Sequence, residues 1–236
     1  MLDKIKKDPA LYVKALTIVY LVVDTLLGIV NYIIYKNKYN MFTPTYFVYL
    51  ILSIIPIIIF VVYVSSFYGK NQNHVLLKVF LIIKLALNFY SNVTGVNSFV
   101  GSVATLFDTN NLITNNIRAA AFNGVLGYLI SWVYLAINLL FVIDAFSDFK
   151  YHKHSINAVK TMVVVFIVAN VAYLIQVFFT NSQDLIISIT NLLRSVFGGL
   201  WVVAYYIFWK WAIVPQPKAN TDNSSQEIDT TSSVED

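Results

Sequence analysis

Long apolar runs, separated by short polar stretches, dominate the pattern of this chain of 236 residues. Each run exceeds the ~18 residues that separate a membrane-spanning helix from a buried helix of a soluble protein. The pattern therefore predicts an all-α integral membrane protein with a bundle of about six transmembrane helices. The predicted spans are residues 11–35, 46–68, 75–95, 119–146, 161–179 and 185–214.

The third apolar run is too long for one simple crossing, because it continues to Phe107. Its middle, residues 88–98, is rich in Asn, Ser and Gly. One interpretation is a broken or re-entrant segment within 88–107, which a membrane tolerates only where the backbone lines a cavity or packs against protein. The other is a helix that ends near Gly95 and is followed by an amphipathic segment at the outer surface.

Positive charges near the ends of the spans are distributed unevenly, and this asymmetry predicts the orientation of the chain. Without Lys14 of the first span, ten lie on the side of the N-terminus, and three lie on the other side. Because cytoplasmic loops carry the excess of Lys and Arg, both termini are expected in the cytoplasm. The ten are Lys4, Lys6, Lys7, Lys70, Lys78, Lys150, Lys153, Lys160, Lys210 and Lys218, and the three are Lys36, Lys38 and Arg118.

The two ends of the chain support a simple domain organisation. The first run is too long for the apolar region of a cleavable signal peptide, so we expect it to be retained and inserted directly, as in a bacterial plasma membrane. Residues 1–214 form the predicted multi-pass transmembrane domain. Residues 215–236 are polar and acidic with almost no apolar side chains, which predicts a disordered cytoplasmic tail.

Composition narrows the classes of function. Apolar residues make up 58% of the chain and charged residues 12%, against about 45–50% and about 25% in soluble domains. The net charge of +4 comes from loops beside the spans, so it favours contacts with anionic lipid headgroups over nucleic-acid binding. Cysteine is absent, which excludes disulfides and thiolate zinc sites. We expect no cofactor, and no metal at His152 and His154, because two ligands do not close a tetrahedral site.

Four of the spans carry their small and polar residues on one face, at helical spacing. Such faces either pack helices closely together or line a polar cavity at mid-depth. The residues are Thr17, Asp24, Gly28 and Asn31 in the first span; Lys84, Asn88, Ser91 and Gly95 in the third; Asn123, Gly127, Ser131, Tyr134 and Asn138 in the fourth; and Ser188, Asn191, Ser195 and Gly198 in the sixth.

Charged residues within the spans need partners, since each costs about 2.5–3.5 kcal/mol at the centre of a membrane. Asp24 and Lys84 lie near the middle of the first and third spans, and the simplest prediction is a mutual ion pair. Arg194 either reaches the outer interface or lies inside the bundle. If it lies inside, the positive charge exceeds the negative, and an anionic solute or headgroup could neutralise the excess.

Motifs of metalloproteases, serine hydrolases and ATP-driven motors are absent from the sequence, so we expect no enzyme. The first functional hypothesis is a small transporter or solute-binding membrane subunit. The alternative is a non-catalytic accessory or scaffold protein whose buried charges only pack helices, and whose partner is another membrane protein. The candidate residues for a solute site or an ion pair are Asp24, Lys84, Asn88, Asn138 and Arg194.

Overall fold

The structure is a computed structural model, and it describes residues 2–39, 44–67, 74–108, 115–179 and 185–213. Within these ranges it contains helices and no strand, which confirms the predicted all-α class. The predicted disordered tail, 215–236, lies outside the described residues. The helices are α1 (Leu2–Lys7), α2 (Pro9–Tyr39), α3 (Pro44–Phe67), α4 (His74–Phe107), α5 (Asn115–Phe146), α6 (His152–Phe179) and α7 (Leu185–Ile207), and a π-helical turn, Phe208–Ala212, continues α7.

Five of these helices, α2, α4, α5, α6 and α7, are long and apolar enough to cross a membrane. The described part of α3 contributes a shorter apolar stretch, Ile51–Ser66. Outward faces of the long helices are apolar. On α6, for example, the side chains of Val164, Ile167 and Val171 are each more than half exposed. Contact of such faces with water is unfavourable by about 25 cal/mol per Å², so the surface fits apolar surroundings.

Helices α2 to α7 form a closed ring. Each packs against the next one in the sequence, and α7 packs back against α2. Neighbouring helices run antiparallel: along a pair, the residue numbers of contacting positions increase on one helix and decrease on the other. Between α4 and α5, for example, Asn92 contacts Ser131, while Ser102 lies beside Gly124.

Helix α4 is continuous over its 34 residues, so the helix extends beyond the predicted span of 75–95. Both interpretations of residues 88–107 are therefore wrong. The polar side chains do not interrupt the helix, because they bond to its own carbonyls or to α5. The Asn92 amide donates to the carbonyl of Asn88 at 2.8 Å, and the Ser131 hydroxyl donates to Asn92 Oδ1 at 2.5 Å. At a rise of 1.5 Å per residue, α4 is about 51 Å long.

Helix α6 begins at His152, nine residues before the predicted start at Thr161. The preceding turn is organised by the buried carboxylate of Asp144, which accepts hydrogen bonds from the Tyr151 backbone N–H at 2.8 Å and the Ser155 hydroxyl at 2.5 Å. Asp148 and Phe149 have φ angles of 50° and 61°, a costly left-handed conformation for a bulky residue. The Asp144 bonds therefore hold a turn that hydropathy alone does not reveal.

One end of the ring is closed by aromatic side chains. This aromatic plug lies where α4 begins and where α3, α5 and α7 end, and each member is less than 2% exposed. Its rings pack closely, with centroid separations such as 4.5 Å for Phe141 and Trp209 and 4.9 Å for Phe60 and Phe80. Two members of the plug, Phe208 and Trp209, lie in the π-helical turn. Its backbone hydrogen bond runs from the Ile213 N–H to the Phe208 carbonyl, five residues earlier, at 3.0 Å. The members are Phe60, Phe80, Phe141, Tyr205, Phe208 and Trp209.

The opposite half of the ring is packed more loosely. Among the described residues there, the buried apolar side chains are Ala121, Ala172 and Ile187. Two of these three residues are alanines, whose small side chains leave space between the helices. The cavity described next lies between the helices, beside the end that the aromatic plug closes.

Candidate functional site

Asp24 forms its ion pair with Arg194, not with Lys84, so the predicted pairing of Asp24 with Lys84 is wrong. Arg194 Nε lies 2.6 Å from Asp24 Oδ1, and Nη2 lies 3.0 Å from Oδ2. This two-pronged geometry matches the planar fork of guanidinium to a carboxylate. Arg194 lies nine residues into α7, about 14 Å from its first residue, so it lies within the bundle and not at its outer end.

A second polar contact joins the same two helices. The Asn31 amide donates to Asn191 Oδ1 at 2.9 Å. The polar stripe of α2 therefore faces α7, and its charge is cancelled within that interface. Neither Asp24 nor Arg194 lines the cavity described below.

Lys84 lies against aromatic rings. Its Nζ atom is 4.2 Å from the ring centroid of Tyr205, 4.9 Å from that of Trp201 and 5.8 Å from that of Phe80. These are distances at which an ammonium is attracted to the negative face of a ring. Among the described residues, Lys84 has no carboxylate within ion-pair distance. Its positive charge therefore has no charged counterpart in the described part of the chain.

A cavity of about 420 Å³ lies between α4, α5, α6 and α7, with one residue from α2. Its volume falls within the range of about 300–1,000 Å³ typical of small-molecule sites. Lys84 lies at the end of the cavity next to the aromatic plug, since it contacts two plug members, Phe80 and Tyr205. The other lining residues are Tyr20, Asn88, Ser91, Asn92, Gly127, Ile130, Ser131, Tyr134, Asn138, Met162, Phe166, Ala169, Tyr173, Ser195, Gly198, Trp201 and Val202.

Lys84 and Asn138 lie at the same level of the cavity. On α4, Lys84 comes eight residues before Asn92; on α5, Asn138 comes seven residues after Ser131. Because Asn92 and Ser131 contact each other and the helices are antiparallel, both displacements run about 11–12 Å toward the aromatic plug. The structure thus brings together Lys84, Asn88 and Asn138 of the predicted candidates.

Asn138 carries a buried polar atom without a partner. Its amide donates to the Tyr134 carbonyl, four residues earlier, at 2.8 Å. Its Oδ1 atom has no hydrogen-bond partner among the described residues, and the residue is only 2% exposed. A buried acceptor left unpaired costs about 1–3 kcal/mol. Oδ1 itself has almost no exposed surface, but Asn138 lines the cavity, so a turn of the side chain would bring Oδ1 to a ligand that donates a hydrogen bond.

The cavity narrows between α5 and α6. A neighbouring space of only about 20 Å³ shares Gly127 and Tyr173 with the cavity, and it includes Asn123. The Asn123 amide donates to Gln176 Oε1 at 2.5 Å and to the Ala172 carbonyl at 3.1 Å. These bonds tie α5 to α6 between the cavity and the helix ends that lie farthest from the plug.

Sequence reasoning missed the contribution of α6. Met162, Phe166, Ala169 and Tyr173 line the cavity, but they form no stripe of small polar residues. Gln176 was also missed, although an amide within a predicted span is itself a signal, because uncharged polar groups in membrane helices bond to neighbouring helices.

Comparison with protein-family models, with curated proteins and with solved structures finds no match to this chain.

Proposed function

We propose that this chain is a multi-pass membrane protein that holds a small solute in the cavity, as a small transporter or as the solute-binding subunit of one. The observation that carries the proposal is the cavity of about 420 Å³ whose lining includes Lys84, Asn88 and Asn138. It lies half-way along apolar helices and is closed at one end by the aromatic plug. Membrane transporters hold their substrates near the middle of the membrane, at polar sites between helices.

In this proposal the chain crosses the bilayer six times, with α3 as the sixth span. The 24 residues of α3 give a length of about 36 Å, which exceeds the hydrocarbon thickness of about 30 Å. Both termini then lie on the same side. The excess of Lys and Arg assigns that side to the cytoplasm, and we propose the bacterial plasma membrane as the location. The aromatic plug then closes the cavity toward the cytoplasm.

The test uses two glycines that accept a side chain without a clash. Apart from its own stretch of helix, a Cβ atom at Gly127 or at Gly101 meets no atom of the described residues within 4 Å. Of these two glycines, Gly127 lines the cavity and Gly101 does not. Gly127→Leu therefore fills the cavity, and Gly101→Leu is the matched control. Purified protein in lipid nanodiscs is screened with sugars, amino acids, carboxylates and amines for ligands that raise the unfolding temperature.

A ligand that stabilises the wild type and Gly101→Leu, but not Gly127→Leu, supports the proposal. Flux of that ligand into proteoliposomes distinguishes a transporter from a binding subunit. If every stabilising ligand acts equally on Gly127→Leu, the cavity is not the binding site and the proposal is wrong.

The second candidate function is a non-catalytic accessory or scaffold protein. It is favoured by the polar contacts that close between helices, such as Asp24 with Arg194 and Asn31 with Asn191, because helix packing requires such contacts. An apolar groove of about 550 Å³ between α4 and α5, lined by residues such as Phe89 and Trp132, offers a surface to another membrane helix. For a scaffold, Gly127→Leu leaves function in cells intact.

A further inference from the structure

We propose that the occupant of the cavity is an organic anion that also carries a hydroxyl group, bound by Lys84 and Asn138. This inference rests on the proposed function and names the class of solute. It follows from two unmet requirements at one level of the cavity, namely a cation without a carboxylate and a buried acceptor without a donor.

Charge is the first requirement. The negative charge of Asp24 is already matched by Arg194 at 2.6 and 3.0 Å, and among the described residues no Asp or Glu lines the cavity. Contacts with Tyr205 and Trp201 stabilise the Lys84 ammonium, but rings do not neutralise a charge. Since an uncompensated charge within a membrane bundle costs several kcal/mol, an anionic ligand gains free energy here that a neutral ligand does not.

Hydrogen bonding is the second requirement. Asn138 Oδ1 accepts no hydrogen bond among the described residues, although its residue is 2% exposed. A simple anion such as chloride or an alkyl carboxylate has only acceptors, so it leaves Oδ1 unpaired. A hydroxyl on the same ligand donates to Oδ1 while the anionic group faces Lys84. Lys84 and Asn138 line the same cavity at the same level, so we expect one small molecule in the cavity to meet both.

The test compares three six-carbon probes that differ only in these groups. Gluconate has a carboxylate and hydroxyls, hexanoate has the carboxylate alone, and sorbitol has hydroxyls alone. Binding to the purified full chain is measured by calorimetry in nanodiscs of phosphatidylcholine, which lacks net charge. We expect gluconate to bind at least about tenfold more tightly than either other probe, because it makes one more hydrogen bond or one more ionic contact.

Matched variants separate the site from general effects. Lys84→Gln is expected to weaken gluconate binding by about 10- to 100-fold, while Lys78→Gln, on the same helix but outside the cavity lining, leaves it unchanged. Asn138→Leu is expected to abolish the preference for gluconate over hexanoate. Asn170→Leu is its control, because Asn170 has the same bond to a carbonyl four residues earlier and the same unpartnered Oδ1, but it does not line the cavity.

The same chemistry occurs in the headgroup of phosphatidylglycerol, which combines a phosphate with hydroxyls. A second arm therefore measures, by native mass spectrometry, phosphatidylglycerol retained from mixed nanodiscs. Retention by the wild type and loss in Lys84→Gln identifies a lipid as the occupant, whereas gluconate binding without retention identifies a soluble anion. Either result supports the inference.

Folding of the variants is monitored by their unfolding temperature without ligand. If Lys84 is a binding residue without a counter-charge, Lys84→Gln should leave the unfolding temperature unchanged or raise it. If Lys84 serves only to contact the aromatic rings, Lys84→Gln should lower it. The inference is overturned if gluconate binds no better than sorbitol and phosphatidylglycerol is not retained, or if Lys84→Gln behaves as the wild type in both arms. A neutral or cationic ligand that Gly127→Leu excludes would overturn this inference and leave the proposed function standing.

Discussion

The ion pair between Asp24 and Arg194 supports a quantitative prediction about how α2 is held to α7. Asp24→Leu leaves the guanidinium without the carboxylate that it contacts at 2.6 and 3.0 Å. Removing one partner of a fully buried pair costs about 3–5 kcal/mol. Here the Asp24 side chain is 12% exposed and the Arg194 side chain 34%, so partial solvation lowers our expectation to about 2–3 kcal/mol.

The double variant Asp24→Leu/Arg194→Leu removes both charges, and such replacements are often close to neutral. Because the Asp24→Leu cost alone is about 2–3 kcal/mol and the double variant is close to neutral, a double-mutant cycle should give a coupling free energy of at least about 2 kcal/mol. The measurement is the free energy of unfolding in mixed micelles, followed by circular dichroism. The cycle of Asn31→Leu and Asn191→Leu is the control in the same interface, with an expected coupling of about 0.6 kcal/mol for a neutral hydrogen bond. Strictly additive effects of the Asp24 and Arg194 changes would refute this account of the pair.

Three further predictions concern packing, a turn and orientation. Gly199→Ala should lower the free energy of unfolding by about 1–3 kcal/mol, because the added Cβ atom would lie 2.9 Å from a ring carbon of Phe166. At Gly198 the added Cβ would lie 4.0 Å from the same ring, so Gly198→Ala should be neutral or stabilising. Asp144→Ala should cost about 3 kcal/mol in the same measurement, because two buried hydrogen bonds to a carboxylate are lost; an effect below about 1 kcal/mol would contradict its role in the turn. In intact cells, an impermeant maleimide should label a cysteine at Arg118 and spare one at Lys153; the reverse pattern would invert the proposed orientation.

Hydropathy predicts the helices of this chain well, because each is a long apolar run and such a run is a local property of the sequence. Helical spacing also predicts the cavity-lining faces of α4 and α5, since residues such as Lys84, Asn88, Ser131 and Asn138 recur at intervals of three, four or seven. These predictions need no knowledge of how the helices are arranged.

Pairing between helices was not predictable in the same way. Asp24 and Lys84 are both near the middle of their spans, and depth alone favoured a pair between them. The closure of the ring instead brings α7 against α2, so that Arg194 reaches Asp24 from a position 170 residues away. Which helices become neighbours depends on the packing of the whole ring. The sequence pattern of a single helix does not contain this information.

Helix ends depend on similar long-range information. Residues 88–98 of α4 look like a break because they are polar, but Ser131 of α5 and the carbonyls of α4 satisfy them. The start of α6 depends on Asp144, eight residues before His152 and in the preceding helix. Hydropathy counts each residue alone, and it therefore misses polar groups whose partners lie on a neighbouring element.

Charge-selective labelling inside the cavity tests the central claim most directly. The chain has no cysteine, so Gly127→Cys is a single reactive site on the cavity wall, and Leu129→Cys, which is 52% exposed on the outer surface of α5, is its control. In proteoliposomes, Gly127→Cys should react faster with a small sulfonate-bearing methanethiosulfonate than with its trimethylammonium counterpart. Adding Lys84→Gln should remove that preference. The control, Leu129→Cys, should react with neither reagent. A Gly127→Cys thiol that is inert to both reagents, or that shows no preference for the anion, would contradict an accessible cavity with an unneutralised Lys84.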